Sequence, residues 1–126
     1  MRNTSSQHDL AEAMVKHFWT RRGFHSVREA GCDVFSWRLK NGRLQQVFSE
    51  IELSTRNVVR NYTRNQSCET TGGFKHMIFV PNERLRGAVR RVLRRYLSAE
   101  AGRKVGIILL DSVEKSLAKT GCARRR

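Results

Sequence analysis

Two segments of the sequence carry acidic side chains that could perform hydrolytic chemistry. Asp33 lies in an apolar run, and Glu50 and Glu52 stand at the end of another. Residues two apart in a strand point to the same face, so Glu50 and Glu52 would project together. If a hairpin pairs the two segments, Asp33 comes close to them. The pattern therefore predicts three carboxylates on one face of a sheet.

Clustered carboxylates are suited to binding a divalent cation. Their oxygens are the ligands that Mg²⁺ prefers, and Mg²⁺ keeps water molecules that can attack a phosphodiester. Grouping like charges costs stability, which a bound cation would offset. In one interpretation, Asp33, Glu50 and Glu52 form a site for Mg²⁺ or Mn²⁺. In the other, Glu50 and Glu52 line a solvated face of a strand and pair with arginines. The motif by itself leaves both interpretations open.

The charge balance indicates an anionic partner. The 126 residues include 25 Lys and Arg against 11 Asp and Glu, a formal net charge of +14. Nucleic acid suits this excess, because each neutralised phosphate releases condensed counterions and adds affinity without sequence contacts. Arginine predominates, and its planar fork matches phosphate oxygens bidentately. We expect a nucleic-acid-binding protein, with a merely solvated basic surface as the alternative.

Several classes of protein are not favoured by the composition. No apolar stretch approaches the roughly 18 residues of a membrane span, and residues 1–9 lack the apolar region of a secretory signal. Cys32, Cys68 and Cys122 are far apart and odd in number, so no disulfide framework or zinc site is implied, and Cys32 is expected in the core. We expect a cytoplasmic protein without membrane contact.

The hydrophobic periodicity predicts the elements that position the carboxylates. In chain order these are helix 9–22, strands 24–28, 31–39 and 44–53, a helix that is capped by Ser54-Thr55 and runs to about 66, strand 77–80, a long helix capped by Asn82 and running to 97, strand 105–110 and a short helix to about 119, capped by Asp111. Asn41-Gly42 is typical of the turn between the second and third strands. The order predicts an α/β fold with a mixed central sheet flanked by helices. We expect one domain, 1–122, and a basic tail, 123–126.

Residues 9–67 resemble the core of the PD-(D/E)XK nuclease superfamily, which includes restriction endonucleases and archaeal Holliday-junction resolvases. The resemblance is carried by Leu10–Val15, Arg22–Phe24, Gly31–Phe35 and Phe48–Ser54. The family has a glutamate in its first helix, an aspartate on the second strand and Glu-x-Lys on the third. The resemblance implies a restriction-endonuclease-like αβββαβ core with an extra C-terminal strand and helix. It also implies that Glu12 supports a metal site at Asp33 and Glu50.

The chain departs from the family at one position, where Glu52 replaces the lysine. Some restriction endonucleases carry Glu-x-Glu and are active, the second glutamate serving as metal ligand or general base. One hypothesis is thus a metal-dependent DNA endonuclease with catalytic Asp33, Glu50 and Glu52, structure-specific or from a mobile element or phage. The alternative is a degenerate member that binds nucleic acid without cutting. A ribosome-associated RNA-binding protein would fit the charge but leaves Glu50 and Glu52 unexplained.

Two helices carry basic or amide side chains that could contact phosphates. Asn57, Arg60 and Arg64 share one side of the helix after the acidic motif. Arg91 and Arg95 line the long helix, where a solvated face is an equal alternative. A nuclease this small needs two sites to cut both strands of a duplex, which favours a homodimer.

Overall fold

The computed structural model describes residues 6–29, 32–66 and 75–124. Its elements, in chain order, are α1 (Ser6–Arg21), β1 (His25–Glu29), β2 (Cys32–Lys40), β3 (Arg43–Ile51), α2 (Val58–Gln66), β4 (Lys75–Val80), α3 (Glu83–Tyr96), α4 (Ala99–Gly102), β5 (Val105–Leu109) and α5 (Leu110–Arg124). None of the helices in these ranges is long and apolar enough to cross a membrane.

The five strands form one mixed sheet in the order β1-β2-β3-β4-β5. The first three strands are antiparallel neighbours, whereas β4 runs parallel to β3 and β5 parallel to β4. Asn41 and Gly42 both have positive φ angles, 53° and 74°, as a tight two-residue hairpin requires. This turn fixes the register that pairs Val34 with Ser49.

Two apolar clusters cover the two faces of the sheet. On one face α1 and α5 pack on the strands, with Val15, Phe79 and Val113 fully buried. On the other face α2 and α3 pack on Ile78 and Val80. Because neighbouring residues of a strand point to opposite faces, the unbroken apolar run of β4 supplies both clusters. The predicted α/β class, with a mixed sheet flanked by helices, is confirmed.

Some predicted boundaries are wrong. The chain forms an additional short helix, α4, in which the Ser98 side chain accepts from the backbone N–H of Ala101. The last helix begins at Leu110, so Asp111 lies in its first turn and does not cap it. It continues to Arg124 past the predicted end near Lys119, because no proline interrupts it. Part of the predicted basic tail is therefore helical, and residues 125–126 lie outside the described residues.

Cys32 is not the core residue that its apolar surroundings suggested. It stands at the start of β2 with a half-buried thiol, where the β1–β2 pairing is irregular. Cys68 and the side chain of Cys122 lie outside the described residues.

Candidate metal site and nucleic-acid interface

The carboxylate of Asp33 links the beginning of β2 to the end of β3. Val34 pairs with Ser49, so Asp33 and Glu50 follow one step further along the same antiparallel register. The backbone N–H of Ile51 donates to Asp33 Oδ2 over 2.8 Å. This bond holds the Asp33 side chain against β3, beside the segment that carries Glu50 and Glu52.

Glu50 and Glu52 are almost completely buried, at 2% and 5% exposure. Each accepts a hydrogen bond from α2: Asn65 Nδ2 donates to Glu50 Oε2, and Asn61 Nδ2 donates to Glu52 Oε2, both over 2.8 Å. Four residues of helix rise about 6 Å and two residues of strand about 6.6 Å. The two asparagines therefore match the spacing of the two glutamates, and α2 holds both carboxylates on one side of the sheet.

Burial and mutual repulsion disfavour the charged forms of these acids. Burial, followed by the charge of Asp33, raises the pKa of Glu50 to about 8, although the hydrogen bond from Asn65 acts in the opposite direction. Burial is also the main reason why the pKa of Glu52 is raised. The Arg64 guanidinium lies 3.5 Å from Glu50 Oε2 and supplies the nearby positive charge. A cation binding at this end of the sheet would relieve the same repulsion.

A second group of ligand atoms lies on the other side of Asp33, at the beginning of α1. His8 Nδ1 is 3.2 Å from Glu12 Oε2, and His8 Nε2 is 3.4 Å from Asp33 Oδ2. One ligand atom from each of these three residues lies within 4.8 Å of the others, so the group could hold a metal ion. Within residues 6–29, 32–66 and 75–124 it is the only such group of three.

The predicted metal residues therefore fall into two adjoining sets. Glu12 and Asp33 are brought together with His8, whereas Glu50 and Glu52 are held by α2 beside Asp33. His8 was not predicted as a ligand, because the hydrophobic pattern starts the first helix at Asp9, whereas the helix begins at Ser6. The available signal was the spacing of four between His8 and Glu12, which places both on one face of a helix.

Solvent reaches this site through an open cleft of about 470 Å³. Glu12 and Asp33 line it, together with the cationic side chains of Lys16 and Arg28. Arg28 Nε lies 3.3 Å from Glu12 Oε1. A phosphate entering the cleft would therefore meet both the carboxylates and two positive charges.

The predicted phosphate-contacting residues have different environments. Asn57 precedes α2 and is half-buried, and its carbonyl accepts from the Asn61 N–H. Arg60 is exposed on α2, whereas Arg64 turns towards Glu50 and donates to Asn61 Oδ1 over 3.0 Å. Arg91 and Arg95 are exposed on α3.

The fold and the site together define an α/β domain with a His-Glu-Asp group that could hold a metal ion and two buried glutamates beside it. Comparisons with protein-family models, with curated proteins and with solved structures gave no match. What the site can do follows from its geometry and from the charge of the chain.

Proposed function

We propose that this protein is a metal-dependent endonuclease that hydrolyses phosphodiester bonds of DNA. The observation that carries the proposal is the position of Asp33, which stands between the His8–Glu12 pair and the buried Glu50–Glu52 pair. One imidazole and four carboxylates thus lie at one end of the sheet. The net charge of +14 favours a polyphosphate substrate over a small neutral one.

The order of elements supports a restriction-endonuclease-like fold for this site. Elements α1 to β4 follow the αβββαβ order that the resemblance implies, and α3, α4, β5 and α5 come after it. Asp33 lies on the second strand and Glu50 on the third, as the family's motif requires.

The donor set fits a hard divalent cation that tolerates one nitrogen ligand. Carboxylates suit Mg²⁺ and Mn²⁺, whereas imidazole is more common on transition metals, so His8 favours Mn²⁺ over Mg²⁺. When bound, such an ion would polarise a phosphate oxygen and activate a water molecule. His8, Glu12 and Asp33 would hold it, with Glu50 beside Asp33. Asn61 orients Glu52, which can accept a proton from an attacking water molecule.

A nicking assay tests the proposal directly. Supercoiled, branched and single-stranded DNA are each incubated with Mg²⁺, with Mn²⁺ and with a chelator. We expect cleavage with either metal, faster with Mn²⁺, and none with the chelator. Absence of cleavage on every substrate, together with no calorimetric metal binding that depends on Asp33, would show that the proposal is wrong.

A non-catalytic nucleic-acid-binding protein on a degenerate nuclease fold is the alternative. It is favoured by the way that Asn61, Asn65 and Arg64 already satisfy the two buried glutamates. This alternative predicts tight DNA binding that neither metal changes. The nicking assay and the calorimetry together separate the two functions.

Glu52→Lys tests the one departure from the family's motif. The lysine would supply a positive charge near the scissile phosphate, but it would remove the acceptor of Asn61 and a carboxylate from the site. We expect cleavage to fall by at least about 100-fold without being lost, because a general base contributes about 10²- to 10⁴-fold. Glu52→Gln is the matched control, because it keeps an oxygen for Asn61 and removes only the charge. Wild-type rates in both variants would exclude Glu52 from the reaction.

The salt dependence of DNA binding tests the role of α2. Raising salt from about 50 to 200 mM should weaken binding by at least about tenfold, because several phosphate contacts release counterions. Arg60→Ala should reduce the log-log slope by about one. Lys115→Ala, on α5 and 3.1 Å from Asp111, removes the same charge elsewhere and should leave the slope unchanged. Equal slopes in both variants would place the contact surface away from α2.

A further inference from the structure

A second cleft, larger than the one at the carboxylates, lies at the other end of β3. It has a volume of about 680 Å³ and is lined by five cationic side chains: Arg22, Arg38, Lys75, Arg103 and Lys104. No aspartate or glutamate is among its lining residues in the part of the chain that the structure describes. We call this cleft the basic groove.

The five cations of the basic groove come from distant parts of the chain. Arg22 follows α1, Arg38 lies on β2, Lys75 begins β4, and Arg103 and Lys104 precede β5. Within the described residues none of them forms an ion pair with a carboxylate. Bringing five like charges together without counterions is unfavourable in a folded protein. An anionic ligand would offset this repulsion.

Two of the guanidinium groups are held in fixed orientations. Arg38 donates from Nη1 to the Arg22 carbonyl over 2.7 Å and from Nε to Gln45 Oε1 over 2.6 Å. Arg22 donates to the Phe18 carbonyl over 3.2 Å. These bonds fix the guanidinium groups before any ligand arrives, which lowers the entropic cost of binding.

The walls of the basic groove are partly apolar as well as charged. The Arg38 guanidinium lies 4.3 Å from the centre of the Phe24 ring, and that of Arg22 lies 3.5 Å from the Phe18 ring. Leu44 and Met77 add apolar surface, and Gln45 adds an amide. Planar cations beside apolar side chains suit a nucleotide, which has a phosphate to neutralise and a base to stack.

We propose that the basic groove binds a single-stranded segment of DNA, with its phosphates on the five cations and a base against the groove wall. This segment and the duplex that reaches the carboxylates would belong to the same substrate, which rests on the proposed function. The substrate is then duplex DNA with a single-stranded arm. An unbranched, blunt duplex would leave the basic groove empty.

The separation of the two sites agrees with one continuous strand. Arg22 lies ten residues beyond Glu12 at the far end of α1, which corresponds to about 15 Å. A single-stranded segment a few nucleotides long would span this distance. Cleavage should therefore fall close to the junction between duplex and single strand.

Binding of a labelled 12-nucleotide oligothymidylate, measured by fluorescence anisotropy in the presence of a chelator, tests the basic groove. Lys75→Ala combined with Lys104→Ala removes two exposed groove cations. We expect at least a tenfold loss of affinity and a decrease of about two in the log-log salt slope. Lys115→Ala combined with Lys119→Ala makes the same charge change on exposed positions of α5 and should change affinity less than twofold.

Competition distinguishes a nucleotide site from a merely cationic surface. Inorganic polyphosphate with the same number of charges should displace the oligonucleotide at least tenfold less effectively than unlabelled oligothymidylate does. Equal displacement by polyphosphate would overturn the proposal. So would equal losses of affinity in the groove variant and the α5 variant. If the double groove variant fails to fold, Lys75→Ala and Lys104→Ala singly repeat the test.

The outcome is independent of cleavage, because binding is measured without metal. A protein that cuts DNA but binds the oligonucleotide equally well with and without the groove cations would retain the proposed function and lose this inference. A protein that never cuts but depends on Lys75 and Lys104 for binding would lose the proposed function and retain the groove.

Discussion

Asp33→Asn is expected to abolish metal-dependent cleavage while the protein remains folded. Asparagine keeps an oxygen that can accept from the Ile51 N–H, so the link between β2 and β3 survives. It removes the negative charge that faces His8 and that contributes to the raised pKa of Glu50. Loss of a residue that merely supports a metal ligand reduces activity by about 10- to 100-fold, so loss of the ligand itself should cost at least about 100-fold.

Three measurements check this expectation: the nicking rate, the heat of metal binding and the thermal unfolding curve. Asp111→Asn is the matched control, since it removes an equal charge from an exposed position on α5. DNA binding without metal should be unchanged or tighter in Asp33→Asn, because a carboxylate that repels phosphate has gone. Cleavage at the wild-type rate would remove Asp33 from the metal site.

Acid should destabilise the protein through His76. This side chain is 1% exposed, and burial lowers its pKa from 6.5 to about 4. Between these two pH values the unfolded chain binds a proton that the folded chain does not. The stability that neutral His76 contributes is therefore complete above about pH 6.5 and is lost as the pH falls towards 4, reaching a loss of about 3 kcal/mol.

Polar and aromatic groups contact His76, and the charged side chains of Glu100 and Lys104 line the same cleft. Its ring lies 5.1 Å from the Tyr62 ring, and its Nδ1 is 3.4 Å from Asn65 Nδ2, which bonds Glu50. Among the described residues, Nε2 has no hydrogen-bond partner that could compensate a proton there.

Urea unfolding at several pH values between 7.5 and 4 measures the effect in the wild type and in His76→Gln. The free energy of unfolding should fall less steeply with decreasing pH in the variant. His17→Gln, at an exposed position on α1, should retain the steepness of the wild type. Parallel curves for the wild type and His76→Gln would contradict the expectation and would assign the acid sensitivity to other groups. Glu50 is not one of them, because its raised pKa means that protonation favours the folded state.

Local patterns in the sequence were sufficient for most of the fold. Periodicity located the helices and strands in the right order, because the two periods of 3.6 and 2 depend only on neighbouring residues. The Asn41-Gly42 pair predicted the hairpin, because Asn and Gly readily adopt the positive φ angles that both positions of the tight turn require. The spacing of Glu50 and Glu52 placed them on one side of β3. Two predictions were wrong. The short helix α4 was missed because it depends on a single cap at Ser98, and α5 was predicted too short because no residue signals its end.

Only the tertiary structure decided which groups meet. His8 reaches Asp33 because the first turn of α1 lies beside the start of β2, although 25 residues separate them in the chain. Asn61 and Asn65 reach the glutamates because α2 packs on β3 with matching rise, and nothing in either segment alone specifies that contact. The basic groove assembles cations from four separate segments. Composition fixes how many charges and ligands this chain has, but long-range packing of apolar faces decides where they converge, because that packing positions the helices on the sheet.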